Sequence, residues 1–371
     1  MVQQQRLTET FLALVHINSP SKREADAMAW AQARLEGLGF TVEYDDAGGK
    51  IGGNTGNLIA RRKGEVSAPP IFLNAHIDTV QPTEGIVVVQ EDGMIRTDGT
   101  TILGADDKAG VACILEAVES AIEDGVPLPD LEVILTIAEE IGLLGSKHFD
   151  ASRITARSGW VVDSGQPLNS ITVNSPSQDK IVAHITGKAA HAGARPEEGV
   201  SAIMVAARAI AAMPHGRIDE ETTANVGTIH GGQATNIVAP SCEVVSEARS
   251  RNEAKLQRQT RAMVEAFHSA AQSMGARATV EVERQYNAFQ ADTDGREVRL
   301  AGEAMRSLGM EPICSSTGGG MDANNFAAKG MPCCVIGCGY RNIHSVEENI
   351  PVEDFTTGAR IVDAILRKAE G

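Results

Sequence analysis

Short apolar runs alternate with longer amphipathic stretches along most of this chain, which predicts an α/β sheet with helices on its faces. Residues 7–17 carry apolar positions at helical spacing, and Ser21 is placed to cap a second helix running to about Leu38. Residues 40–44 and 57–60 have strand character, and Ile71-Phe72-Leu73 reads as a buried strand. A helix is expected at about 107–122, then strands at 131–138 and 160–162.

The pattern changes at Ser175-Pro176-Ser177. Up to about Tyr286 it predicts a strand at 180–186, a helix at 200–213, strands at 224–230 and 242–249, a helix at 253–274 and a strand at 278–283. That βαββαβ order is the ferredoxin-like unit. The α/β pattern then resumes with a helix at about 296–308, a strand around Cys333 and a last helix at 352–368. The expectation is therefore a mixed-sheet α/β domain in two parts, 1–175 and 288–371, interrupted by an inserted ferredoxin-like domain at 176–287.

Composition supports two ordinary globular domains: 371 residues, 42% hydrophobic and 22% charged. The net charge of −16 argues against a nucleic-acid or anionic-membrane partner. A local arginine could still receive an anionic small substrate. The first residues lack a charged segment leading into a long apolar core, and Phe11-Leu12-Ala13-Leu14-Val15 is too short to span a bilayer, so a soluble cytoplasmic protein is expected. Cys333-Cys334-x-x-x-Cys338 has some likeness to a metal motif. It lies in a buried-strand pattern, however, where reduced cysteines are expected to pack as small hydrophobes.

The chemistry concentrates where strands end. Ile71-Phe72-Leu73 leads into Asn74-Ala75-His76-Ile77-Asp78-Thr79, an imidazole followed two residues later by a carboxylate, which suits a metal ligand and the group that holds its other ring nitrogen. The 131–138 strand ends in Glu139-Glu140, the 160–162 strand in Asp163, and the Cys333 strand leads to His344. The turn Leu103-Gly104-Ala105-Asp106-Asp107-Lys108 enters a helix. Alone, each group reads as a helix cap, a turn residue or a solvated side chain. Gathered at the carboxyl ends of strands in an open α/β sheet, they point to a metal site. Two imidazoles and three or four carboxylates suit zinc and leave one carboxylate to bridge two ions. Two adjacent glutamates can also divide the work between ligand and general base.

In these motifs and their order the chain resembles, over nearly its whole length, the co-catalytic di-zinc exopeptidases of the peptidase T, carboxypeptidase G and aminoacylase type. The resemblance rests on His76-x-Asp78, Gly104-Ala105-Asp106-Asp107-Lys108, Glu139-Glu140, Asp163 and Asn342-Ile343-His344-Ser345. It implies that Asp106 bridges two zinc ions, with cobalt or manganese as alternatives. Glu140 and His344 would complete one site, and His76 and Asp163 the other. Asp78 would orient His76, and Glu139 would act as the base. A cis peptide is expected at Asp106–Asp107.

In the inserted domain, Gly187-Lys188-Ala189-Ala190-His191-Ala192-Gly193 resembles the family's lid motif, which makes His191 the candidate oxyanion donor in its own or a partner's active site. Gly231-Gly232-Gln233-Ala234-Thr235-Asn236 resembles a lid turn that brings Asn236 toward substrate, and Arg249 is a candidate for a substrate carboxylate or for pairing with lid acids. Gly318-Gly319-Gly320-Met321-Asp322 lacks the ending of a phosphate loop and resembles a segment lining the family's substrate pocket. The resemblance also allows a homodimer through the lid. Asp at position 163, together with the motif shapes, favours a peptidase T-like aminopeptidase acting on short peptides. The alternative is an amidohydrolase or deacylase acting on N-acyl or N-carbamoyl amino acids. A non-catalytic binding protein is disfavoured, because the ligand set and Glu139 are all present.

Overall fold

The computed structural model of the protein describes residues 1–369. The chain forms two compact units, one of Met1–Asn174, Phe289–Thr317 and Met321–Gly371, the other of Ser175–Ala288 with Gly318–Gly320.

A mixed sheet organises the first unit. Among the described residues its strands run in the order Thr41–Tyr44, Leu58–Arg62, Leu131–Thr136, Ile71–His76, Ser158–Val162, Cys333–Ile336, Ser170–Ser175 and Phe289–Gln290, with Ile313–Ser316 also pairing with Ser170–Ser175. The four central strands, from Leu131–Thr136 to Cys333–Ile336, are mutually parallel. Such strands are covered on both faces, which explains why Ile71–His76 and Leu131–Thr136 are buried at every position. Parallel pairing also brings the carboxyl ends of all four to one edge.

The helix Ala105–Glu123 supplies much of the cover. It is buried at nearly every residue and packs against Gln4–Val15 and Val352–Lys368. On the opposite face of the sheet, which Ile134 shares, Glu132 is buried but satisfied, accepting the backbone N–H of Thr155 and Ala156 while lying 3.4 Å from Arg61. Trp160, also fully buried, donates its indole N–H to Glu297 O at 2.9 Å.

Two local features differ from the sequence reading. The hydroxyl of Ser21 does not cap the second helix, which begins at Ala25; it donates instead to Asp78 Oδ2 at 2.6 Å. A small sheet of Val88–Glu91, Met94–Thr97 and Asn349–Pro351 also forms. Its hairpin turns on Asp92-Gly93, both at positive φ (52° and 74°), the Asp-Gly signal for such a turn, which the longer-period reading passed over.

The second unit is an antiparallel sheet in the order Gly216–Arg217, Thr222–Gly231, Ser241–Ser250, Ser177–Thr186, Arg277–Tyr286. Its helices are Ala202–Ala212, capped by Ser201, and Glu253–Ser273, capped by Asn252. Leaving aside the two-residue edge strand, the arrangement is the ferredoxin-like βαββαβ. One face alternates inward, with Ile181, Ala183, Ile185, Val244 and Ala248 packed beneath Leu256, Met263 and Phe267. All six cysteines are free thiols, and Cys333, Cys334 and Cys338 are buried. Among the described residues no helix is long and apolar enough to cross a membrane.

Gly159 lies beside Phe72 on the neighbouring strand. A Cβ there would come within 2.3 Å of the Phe72 carbonyl oxygen and 2.5 Å of its ring. Gly159→Ala should therefore overpack the sheet centre and destabilise the first unit by about 1–3 kcal/mol, read as a lowered midpoint in thermal or urea unfolding.

Candidate metal centre

The parallel strand ends deliver their side chains into one cluster. Ile71–His76 ends on His76, and the chain after Thr136 turns into Glu139-Glu140. Ser158–Val162 is followed by Asp163, and Cys333–Ile336 leads to Tyr340 and His344. Asp106 enters from the start of the central helix. Gly104 makes that turn at φ 72°, with Thr79 Cγ2 2.9 Å from where a Cβ would sit. Asp106 and Asp107 then depart from helical backbone, and the peptide between them is cis.

Asp106 divides its carboxylate between two imidazoles. Its Oδ1 lies 3.2 Å from His76 Nε2, and its Oδ2 lies 3.4 Å from His344 Nε2. Glu140 Oε2 approaches the same His344 Nε2 at 2.9 Å. Around His76 Nε2, Asp163 Oδ1 and Glu139 Oε2 both stand at 3.9 Å. Two groups have one donor atom each within 4.8 Å of the others: His76 with Asp106 and Glu140, and His76 with Asp107 and Asp163. Asp107 was not singled out in the sequence. Its Oδ2 accepts the His76 backbone N–H at 3.3 Å, and its Oδ1 accepts that of Gly110 at 3.1 Å.

The donors fit a cation. Asp106, Asp107, Glu139, Glu140 and Asp163 crowd round two imidazoles, and burial pushes the carboxyls of Asp107, Glu139, Glu140 and Asp163 upward, opposed by the imidazoles and reinforced by repulsion among the acids. Burial alone would raise Asp106 too, but contacts with His344 and His76 outweigh it and hold that carboxyl well below its usual range. The carboxylates raise His344 to about 10, Asp106 contributing most. His76 is raised well above its ordinary value, because Asp106 and Asp78 overcome its desolvation. Both shifts favour the charged form of the imidazole when no metal is bound. Among the described residues Glu140 Oε1 is buried without a hydrogen-bond partner, an acceptor open to a cation. Nitrogen and carboxylate donors of this kind suit zinc, manganese or cobalt.

A ring of further groups supports this cluster. His76 Nδ1 is 3.0 Å from the backbone oxygen of Asp78 and 3.5 Å from its Oδ1, so the carbonyl makes the closer contact. The Asp78 carboxylate accepts the backbone N–H of Glu139 at 3.0 Å and of Glu140 at 3.3 Å. Glu24 Oε1 accepts the N–H of Ala138, a residue at φ 50° that starts the same turn. Glu348 accepts N–H groups from Gly104 and Asp106. Tyr340 donates its hydroxyl to Asp163 Oδ1 at 2.8 Å. Glu24, Glu348 and Tyr340 were not marked as functional in the sequence. Glu348 stands four residues after His344, but nothing in a linear pattern shows it reaching Gly104.

His191, Asn236 and Arg249 belong to the second unit. His191 pairs across a bridge with Ile237, and its Nδ1 accepts the backbone N–H of Gly193 and Ala194 at 3.2 and 3.1 Å. The backbone oxygen of Asn236 accepts from Ala192 at 2.9 Å, so the two loops run side by side. Arg249 donates to Glu247 on its own strand at 2.9 and 3.0 Å, the lid-acid pairing that the sequence left open.

Comparison with known proteins places this arrangement. Residues 72–368 match the model of peptidase family M20/M25/M40. The protein YqjE of Bacillus subtilis is 42% identical over 369 residues, covering all of both chains. A crystal structure of aminopeptidase PepT from Bacillus cereus is 42% identical, superposes with a TM-score of 0.89 and is likewise covered in full on both sides. A tripeptidase structure from Staphylococcus aureus is 36% identical with a TM-score of 0.94, covering 100% of this chain and 99% of that one. The chain belongs to peptidase family M20/M25/M40, in its peptidase T-like branch. It is a metal-dependent hydrolase of peptide bonds.

A histidine held protonated to about pH 10 must lose its proton to ligate a metal. Adding zinc to the metal-free protein at pH 7 should therefore release protons, and apparent affinity should rise with pH until His344 titrates near 10. Calorimetry in buffers of different ionisation enthalpy counts the protons; binding without release would remove His344 from the ligand set.

Proposed function

We propose that the protein is an aminopeptidase of short peptides, tripeptides foremost, working with two zinc ions that share Asp106. The observation that carries this reading is the split of the Asp106 carboxylate between His76 and His344. His76 and Asp163 would hold one ion, and Glu140 and His344 the other. When bound, the pair of ions supplies Lewis-acid polarisation of the scissile carbonyl and lowers the pKa of the attacking water.

The protein's own groups do the rest. Glu139 Oε2 takes the proton of the attacking water and passes it to the leaving nitrogen. Burial and neighbouring acids raise its proton affinity above that of an ordinary glutamate, which suits a group that must accept a proton near neutral pH. Asp78 fixes the backbone from which Glu139 and Glu140 project. His191, in its own or a partner's active site, would give a hydrogen bond to the developing oxyanion and Asn236 would contact substrate, while Arg249 keeps its pairing with Glu247.

The named activities of the Bacillus cereus and Staphylococcus aureus proteins support the choice of an aminopeptidase and of tripeptides. So does Asp rather than Glu at position 163. Six free thiols and an acidic composition fit a cytoplasmic location. The exposed Ile203, Met204 and Ile229 of the second unit would suit a homodimer through that unit, which sedimentation would test.

Glu139→Gln should abolish turnover while two metal ions per chain are retained; parallel loss of metal would make Glu139 a ligand instead. His191→Ala should lower kcat more than it raises KM, because a donor to the transition state acts on the barrier. A tripeptide with a free amine should be cleaved far faster than its N-acetyl form. Preference for the blocked peptide would overturn the aminopeptidase reading in favour of a deacylase.

A further inference from the structure

Glu348 closes the loop that carries His344, its backbone N–H donating to Ser345 O at 3.1 Å. The loop is unusual in its backbone: Asn342 and His344 both adopt left-handed φ values, 56° and 61°, without being glycine. Such a loop needs its surroundings to hold it. The Glu348 side chain is buried to 1% exposure and reaches away from its own loop. Its Oε2 accepts the Gly104 N–H at 2.6 Å, and its Oε1 accepts the Asp106 N–H at 3.0 Å. One carboxylate thus ties the segment of His344 to the segment of Asp106, 242 residues away in sequence.

We propose that Glu348 is a positioning residue that aims the Asp106 carboxylate and so couples the two halves of the metal centre. The proposal rests on the reading that Asp106 is shared by two ions. Its two oxygens leave the same planar group toward His76 and toward His344. Any tilt of the Asp106 backbone therefore moves both oxygens at once. Glu348 grips the N–H of that very residue and of the glycine that begins the turn. It also belongs to the loop that must present His344 on the other side. Groups that orient metal ligands in this way typically change metal affinity by 10–100-fold when removed. The distinguishing consequence is that both ions are affected together, although Glu348 is close in sequence to only one of their ligands.

The test uses the full-length protein stripped with chelator and titrated with Co²⁺, followed by visible absorption and calorimetry. Wild type, Glu348→Ala, Glu348→Gln and His344→Ala are compared, and the thermal midpoint of each metal-free protein is recorded. Glu348→Ala should weaken both ions by about tenfold or more. Glu348→Gln, equal in length but with one acceptor oxygen, should fall between wild type and alanine while its metal-free midpoint stays near wild type. His344→Ala should weaken one ion preferentially. Affinities within twofold of wild type in both Glu348 variants would overturn the proposal. So would loss of a single ion in Glu348→Ala, or failure of both variants to fold, which would make Glu348 a folding residue. Failure of the wild type to bind two ions would instead sink the shared-carboxylate reading itself.

Discussion

The constraint on which this molecule turns is the sharing of one buried carboxylate, that of Asp106, between two imidazoles. His76 stands at the end of a central strand, and His344 comes from a late loop. For both to reach the same carboxylate, the strand order must bring sequence-distant segments together. The chain runs Leu131–Thr136, Ile71–His76, Ser158–Val162, Cys333–Ile336 across the sheet and in parallel, so each strand opens onto the same edge. The fully buried apolar strands and the buried central helix hold that edge in place.

Two tiers of carboxylates follow from this. The inner tier, Asp106, Glu139, Glu140 and Asp163, faces the imidazoles and is crowded enough that a proton or a cation must compensate it. The outer tier, Glu24, Asp78 and Glu348, accepts backbone N–H groups from the two turns that carry Asp106 and Glu139-Glu140. Those turns contain backbone that does not satisfy itself: the kink at Asp106 and Asp107, and the positive φ of Ala138. A buried N–H without an acceptor costs about 1–3 kcal/mol, so the outer acids stabilise geometries that regular secondary structure would not provide. Chemistry and support use the same residue type, and only position tells them apart. Asp78 illustrates the point. Its spacing from His76 suggests a partner for the imidazole, yet its carboxylate is spent largely on the Glu139-Glu140 turn and on Ser21.

Much of this was legible in one dimension. Apolar runs ending in His76, in Glu139-Glu140 and in Asp163 mark strands with polar exits, because a strand covered on both faces admits few such groups along its length. The change of pattern at Ser175 and the βαββαβ order that follows come from local periodicity and turn residues. The missed hairpin at Asp92-Gly93 was equally local, and its strands are simply too short for a period-based reading.

What the sequence determined by itself was the set of elements and the stock of donors: which segments bury apolar faces, where they stop, and that imidazoles and carboxylates stand at the stops. Those are local properties, set by side-chain periodicity over a few residues. Tertiary structure alone decided which donors meet. Glu348 reaching Gly104, Glu24 reaching Ala138 and Ser21 reaching Asp78 instead of capping its helix are contacts between segments distant in sequence. A glutamate reads the same in sequence whether it faces a cation, a backbone N–H or solvent. Its surroundings assign the role, and those exist only once the parallel strands have brought distant segments to one edge.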